Sequence, residues 1–382
     1  MKILYITHMN EANGSTIALK NIMLGMHKKG ATIGLICPNA NGFLYTEALK
    51  LGVKIFLVKD SYPAILQYPS LKGLSLVKWI LSMIVWHLKI QLRVYKIMKL
   101  FKPDIVHCNT SVIDYGLLGA KLLKIPHVWH IREYQDLDFN INIFPSKTIL
   151  KRKMHLSGNY NIAITNEIYK YFNLRKCDNV IYDGVIDISH KKDSPIEFAF
   201  PYILYVGNIS KGKGLDVLLK QFVKFHILYP DVHIIVANKF DSNSKYYKYC
   251  ISILNRAECS KFVHFIGFRD DVYSLMRSAL VLVVPSYFEG FGFITAEAMY
   301  NNCLVIGRNT AGTKEQFDNG YRQTGHEIGL RFTKDEEIIE LLKRVMTEDF
   351  SLMKYYARKT VVNNYTVNIN VNSIYSYYKK II

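Results

Sequence analysis

The chain has 382 residues, long for one domain and comfortable for two, and half of them are hydrophobic, so it can build a large core and is not a disordered chain. Its six cysteines are scattered without a CxxC pair, which argues against a disulfide or zinc framework and for free thiols in a reducing compartment. A net charge of +18 favours anionic partners, yet no RRM signature, zinc-finger spacing or basic-zipper pattern accompanies it, so a nucleic-acid module is not indicated.

The first residues, MKILYITHMN, run directly into a strand and lack the apolar stretch and cleavage site of a secretion signal. Residues 2–7 read as a buried parallel strand, and 15–30 as a helix closed by Gly30. Further strands are predicted at 31–37, 53–58, 104–109, 126–131 and 161–165. This alternation is the pattern of a doubly wound α/β sheet. The polar, proline-bearing run 188–200 reads as a linker. A second series of strands follows at 202–207, 232–237, 262–267, 280–285 and 303–307. The expected organisation is therefore a Rossmann-like domain over 1–190, a second over 200–360, and a closing helix over 361–382 that packs back on the first domain. Two such halves are expected to face each other across a ligand cleft.

Segment 74–101 carries Ser75, Lys78, Ser82, Lys89, Arg93, Lys96 and Lys99 on one helical stripe. Trp79, Ile80, Met83, Ile84, Trp86, Ile90 and Phe101 are placed on the other side. Lys78 and Lys89 bracket only ten residues, too few for a membrane span. Two readings stand: an interfacial helix drawn to anionic lipid, or a core helix with a solvated basic edge.

The stretch SYFEGFGFITAEAM (286–299) is the most informative. A strand ends at a turn, Glu289 sits in a loop with Gly290, Phe291 and Gly292, and Glu297 follows inside a helix. The glycines let backbone pass close to a ligand, and the helix start offers unpaired N–H groups suited to hydroxyls and phosphate oxygens. Glu297 is suited to accept two hydrogen bonds from a vicinal diol such as ribose. The bland alternative is a surface loop glutamate and a solvated helical one. Upstream, YILYVGNISKGKGLDVLL (202–219) repeats the scheme of strand, glycine-bearing loop and helix, with Lys211 and Lys213 in the loop.

These stretches, with VIYDGVID (180–187), VHFIGFRDDVYSLMRSALVLVVPS (263–286) and NCLVIGRNTAGTKEQF (302–317), resemble the retaining glycosyltransferases of family 4, which have the GT-B fold. The resemblance is strong from about 180 to 335 and looser in the N-terminal half. It implies Glu289 near the transferred sugar and Glu297 on the nucleotide ribose. Gly290, Phe291, Gly292 and Phe293 match backbone positions that hold sugar hydroxyls and diphosphate, and Lys213 matches the lysine on the donor diphosphate. Phe268 and Arg269 match the segment contacting the base. Gly14 fits the loop under the diphosphate, and His130 fits the histidine near the acceptor and the anomeric carbon. His130 also reads, more blandly, as a satisfied strand-end histidine, and Arg132 and Glu133 beside it as a mutual ion pair.

The implied activity is transfer of a hexose-type sugar from a nucleotide diphosphate sugar to a saccharide or lipid-linked glycan acceptor, in cell-surface polysaccharide synthesis. No cofactor or metal is implied, and DLD (136–138) is not taken as a metal motif. The implied place is the cytoplasm, at the inner face of the membrane, with no nucleic-acid partner. The sequence departs from the family pattern at four points. The arginine before the lysine loop is Asn208, with Lys211 as the nearest added cation and Arg132, on the acceptor side, as the next. Asn302 and Leu304 stand for the glycine–proline pair after the paired-glutamate helix. Asn13 replaces the first glycine of the N-terminal loop, and Asp183 an asparagine read as a structural turn. Two competing readings are a GT-B sugar-nucleotide epimerase and a basic binding protein for nucleic acid or membrane without enzymatic activity.

Overall fold

The computed structural model describes residues 1–58, 71–139, 143, 146–188, 194–196 and 198–382. The chain forms two compact units, Met1–Gly184 with Val367–Ile382, and Val185–Thr366. The boundary lies at 184/185 and the return at 366/367, earlier and later than the sequence-based limits of 190 and 361. The reason is local: the Val185 N–H donates to the Tyr365 carbonyl at 2.9 Å, and Ile186 bridges Thr366, so the two crossing strands are tied to each other inside the second unit. Of the linker expected at 188–200, residues 189–193 and 197 lie outside the described residues.

The first unit holds seven parallel strands: β1 (Lys2–Ile6), β2 (Thr32–Cys37), β3 (Lys54–Leu57), β4 (Ile105–Cys108), β5 (His127–Ile131), β6 (Asn159–Ala163) and β7 (Asn179–Val180). Their order is β3-β2-β1-β4-β5-β6-β7, so the winding reverses between β1 and β4. The strands are near-continuous apolar runs, as a sheet covered on both faces requires. Ile3, Tyr5, Leu19, Ile22, Met23 and Met26 lead the core on one face, joined by Val371, Ile374 and Tyr378 of the closing helix Val367–Ile381.

The second unit has six parallel strands: β8 (Tyr202–Val206), β9 (His233–Ala237), β10 (Val263–Gly267), β11 (Val281–Val284), β12 (Val305–Arg308) and β13 (Leu330–Phe332). Their order, β10-β9-β8-β11-β12-β13, reverses between β8 and β11. Leu218, Phe222 and Phe225 of the helix Leu215–His226 pack on this sheet with Ile234, Val236, Val281 and Val283. The strands β7 and β13, of two and three residues, escaped the sequence pattern because runs so short carry no period.

Helix Gly73–Phe101 has three faces where the sequence pattern suggested two. Met83, Ile90, Val94, Met98 and Phe101 are buried, with Phe101 edge-on to Phe56 and the Gln91 amide donating to the Asp114 carbonyl at 3.1 Å. Trp79, Ile80 and Trp86 are half-buried, whereas Ile84, placed on the inner face by the sequence pattern, is exposed together with a row of leucines and valines.

Candidate functional site

In an open parallel sheet, ligands gather at the carboxyl ends of the strands where the winding reverses. In the second unit that point lies between β8 and β11, and the loops leaving these two strands carry the predicted donor residues. After β8 come Asn208 and a 3₁₀ turn, Lys211–Lys213, closed by Gly214 at φ +69°. A Cβ on Gly214 would also stand 2.6 Å from the Pro285 carbonyl oxygen, so the two loops approach as closely as they do only with glycine there. The Tyr287 N–H closes the seam by donating to the Gly212 carbonyl at 3.0 Å.

Across this seam the Lys213 ammonium donates to the Glu289 carboxylate at 2.7 Å. The sequence reading assigned them separate tasks, diphosphate and sugar; the fold brings them into one ion pair, with the lysine about a third exposed and the glutamate less so. Lys211 is exposed and has no ion pair among the described residues. Asn208 is also exposed, and its side-chain Oδ1 accepts from the Asn238 side-chain amide at 3.2 Å.

The loop from Glu289 to Phe293 is braced from behind. The Gln316 amide donates to the Phe291 carbonyl at 2.7 Å and to the Gly292 carbonyl at 3.0 Å, and the Gly312 N–H donates to the Glu289 carbonyl at 2.9 Å. Phe291 is buried against Tyr365 and Phe293. Gly292, at φ +88°, turns the chain into the helix Phe293–Tyr300. Glu297 in that helix is not a solvated surface residue. It is half-buried, burial pushes its carboxyl up to about 7, and a hydrogen bond from the Tyr273 hydroxyl at 3.3 Å opposes that rise. Asn302 ends the segment in the left-handed region at φ +63°, as an asparagine can.

Phe268 and Arg269 follow β10. Phe268 is 62% exposed, and the Arg269 guanidinium is held on the surface by Asp271, Nε to Oδ1 at 2.7 Å.

The first unit carries the other predicted residues. Gly14 is the first residue of the helix Gly14–Lys28. Asn13 is its N-cap: the side-chain oxygen accepts from the Ser15 and Thr16 N–H groups at 3.0 and 3.1 Å. Two of the donors expected to face a diphosphate are therefore occupied by the residue that replaces the family glycine.

His130 lies at the end of β5, fully buried, with Nδ1 3.3 Å from both the Arg132 guanidinium and Nε2 of His107. The Tyr378 hydroxyl stands 2.6 Å from Nδ1 of His107. Arginine only donates, so Nδ1 of His130 accepts; Nε2 of His107 then donates, and Nδ1 of His107 accepts from Tyr378. Both histidines are neutral, their pKa values held well below the usual range first by burial and then by the Arg132 charge, with His127 adding to the effect on His107 and His107 to that on His130. Nε2 of His130 consequently carries the proton, and it is buried without a partner among the described residues. This is a hydrogen-bond donor waiting for an acceptor, and not the satisfied histidine of the bland reading.

Arg132 does not pair with Glu133. It forms an ion pair with Asp183, both residues buried, and donates from Nε to the Asn109 carbonyl at 3.0 Å. Glu133 accepts from the Ser111 N–H and hydroxyl at 2.8 and 2.9 Å. Neighbouring residues beyond a strand project apart, which is why the sequence pairing fails. Asp183 is thus a charge partner and not only a turn residue. In the DLD stretch, Asp136 pairs with Lys147 at 3.0 Å and Asp138 accepts the Tyr134 N–H at 2.8 Å. All six cysteines are free thiols.

His107, Tyr378, Tyr273, Gln316 and the Lys213–Glu289 pairing were not legible in the motifs. The one available signal was periodicity: His107 lies opposite Val128, and His130 projects from the same face of the sheet two residues on.

Comparison with known proteins bears on the fold and on the likeness of the second half of the chain. Residues 188–360 match the family of glycosyl transferases group 1. An O-antigen biosynthesis glycosyltransferase of Escherichia coli, WclY, is 29% identical over 232 residues, 56% of this chain and 64% of that protein. An uncharacterized glycosyltransferase of Methanocaldococcus jannaschii is 27% identical over 255 residues, 63% of this chain and 65% of that one. The chain thus spans just under two thirds of the length of these relatives. Among solved structures, Anabaena HepE in complex with UDP and glucose superposes with a TM-score of 0.76 at 18% identity, covering all of both chains. A lipopolysaccharide outer core galactosyltransferase, WaaB, gives 0.69 at 17% identity, again over both whole chains. The fold is GT-B.

Proposed function

We propose that this GT-B protein is a retaining glycosyltransferase that moves a hexose from a nucleotide diphosphate sugar to a saccharide or lipid-linked glycan acceptor in cell-surface polysaccharide synthesis, working in the cytoplasm at the membrane's inner face. The observation that carries the reading is the Lys213–Glu289 pair at the winding reversal of the second sheet, beside the half-buried Glu297. A donor diphosphate draws Lys213 away from Glu289, and the freed carboxylate turns to the hydroxyls of the transferred sugar. Glu297 accepts from the ribose diol. Lys213, Lys211 and backbone N–H groups then hold the charge that develops on the leaving diphosphate. That diphosphate takes the acceptor's proton, and same-face substitution keeps the anomeric configuration. In the first unit, the Nε2–H of His130 is the donor this chain offers to a sugar oxygen. UDP-sugars are the first donors to try, because the HepE structure of the same fold holds UDP.

A thermal-shift screen of the whole chain against UDP-, GDP- and ADP-sugars tests donor binding, since a ligand of the native state raises the melting temperature. Proton NMR of the product then reads the anomeric configuration. An inverted product would sink the retaining reading. Turnover of the donor to a new sugar nucleotide without acceptor would replace transfer by epimerisation.

A further inference from the structure

The helix Gly73–Phe101 presents a face that nothing in the site uses. Val77, Leu81, Val85, Leu88 and Leu92 are each more than half exposed. At about 100° per residue they fall on one stripe roughly 100° wide, running along about four turns of the helix. The adjoining stripe carries Lys78, Lys89, Arg93 and Lys96, all exposed. The segment from Gly73 to Phe101 contains no acidic residue at all. The remaining face is committed inward: Ile90, Val94, Met98 and Phe101 are buried in the first unit, and Gln91 is bonded to the Asp114 carbonyl.

A continuous apolar row of this size is costly to leave in water, and isolated surface leucines are not arranged this way. The inward face fixes what the helix can do. By length and composition the helix is apolar enough to cross a bilayer, against the expectation from Lys78 and Lys89, but spanning would strip Val94, Met98 and Phe101 from their buried places in the first unit, which favours a helix lying along a surface. The charge pattern selects the occupant. A second copy docking through the same face would set one basic row beside another. A bilayer with anionic headgroups meets both halves of the pattern, the leucine row entering the acyl boundary and the basic row resting among the headgroups.

We propose that the exposed face of the helix Gly73–Phe101 docks the protein flat onto an anionic membrane, with Leu81, Val85, Leu88 and Leu92 inserted and Lys78, Lys89, Arg93 and Lys96 on the headgroups. The proposal goes beyond sugar transfer and does not depend on it, because its readout is membrane binding alone.

The test is flotation of the whole chain with vesicles of mixed phosphatidylglycerol and phosphatidylcholine, against vesicles of phosphatidylcholine only. The parent chain should float with the mixed vesicles and far less with the neutral ones. Replacing Leu81, Leu88 and Leu92 with serine should lower binding to the mixed vesicles by at least about tenfold. Replacing Lys78, Lys89 and Lys96 with glutamine should lower it by about fivefold per charge, with little change on neutral vesicles. All six side chains are exposed, so an unchanged thermal melt checks that the fold survives. The proposal is overturned if the parent chain does not float with anionic vesicles, or if the serine variant floats as the parent does. It is equally overturned if the serine changes convert a dimer to a monomer while flotation stays the same, because a second copy would then be the occupant.

Discussion

Lys213 and Glu289, 76 residues apart in sequence, form a 2.7 Å ion pair at the point where the second sheet reverses its winding. On the proposed reading each shields the other until a donor arrives, and the diphosphate would have to displace a carboxylate to reach the lysine. Partly exposed pairs of this kind are worth about 0.2–1 kcal/mol, a factor of up to about five. Glu289→Gln should remove that competitor. Affinity for the free nucleotide diphosphate should stay level or tighten by up to about fivefold, while sugar transfer is lost with the carboxylate. Isothermal titration with UDP and a transfer assay measure both, and a large fall in UDP affinity would place Glu289 on the nucleotide instead.

Glu297 makes two pH-dependent predictions. Its folded carboxyl titrates near 7, above the ordinary value of 4.5, because burial disfavours the charge. Between those values the folded state holds a proton that the unfolded state has lost, so stability falls as pH rises through this window. Glu297→Gln should therefore raise the melting temperature at pH 8 and leave it unchanged at pH 4. The gain should be roughly 1 kcal/mol, less than the full shift implies because the side chain keeps some solvent. The ligand effect has the opposite sense. Ribose hydroxyls donate to an ionised carboxylate, so UDP affinity should rise with pH through about 7 in the parent and be flat in the variant. A variant that follows the parental pH curve would take Glu297 out of the nucleotide site.

Tyr378 acts on His130 without touching it. The hydrogen bond from its hydroxyl to His107 fixes the His107 tautomer, which in turn leaves the His130 proton on Nε2. Tyr378→Phe should let His107 change tautomer and withdraw one of the two donors to Nδ1 of His130. Nitrogen NMR of labelled histidine should then show His130 as a mixture of tautomers, with kcat down by about tenfold and KM for the donor nearly unchanged. An unaltered His130 tautomer would show that Arg132 alone is sufficient to fix it.

Much of the scaffold could be read from the chain itself. Runs such as KILYI and VLVV are long enough and apolar enough to declare buried parallel strands, and eleven of the thirteen strands among the described residues fall on such predicted runs. The paired-glutamate loop and the lysine loop were also visible, because glycine and charge beside an apolar run are local signals. The meetings were not. Lys213 finds Glu289, Arg132 finds Asp183, and Tyr378 finds His107 only through the strand order, which sequence spacing does not encode. The helix Gly73–Phe101 shows a different limit. A two-sided reading of its periodicity cannot hold a buried face, a basic face and an exposed apolar face at once.

The last prediction concerns the position where the family pattern has arginine and this chain has Asn208. A nucleotide diphosphate brings about two negative charges that need compensation near the lysine loop. Asn208 is occupied by Asn238, and Arg132 is already neutralised by Asp183, so neither supplies the missing charge. Lys211 stands in the same loop, exposed and without an ion pair among the described residues, and is free to swing toward the phosphates as a point charge. Lys213→Ala should be the more damaging change, because it also strands Glu289 without its cation. Lys211→Ala should lower kcat/KM by about fivefold to tenfold, and both should weaken UDP far more than uridine, since only the diphosphate is contacted. Asn208→Arg should then restore most of the activity of Lys211→Ala, because the guanidinium reaches the same oxygens with two donors. If Lys211→Ala transfers sugar at the parental rate, the lysine is only a solvated surface residue, and Lys213 alone carries the diphosphate charge.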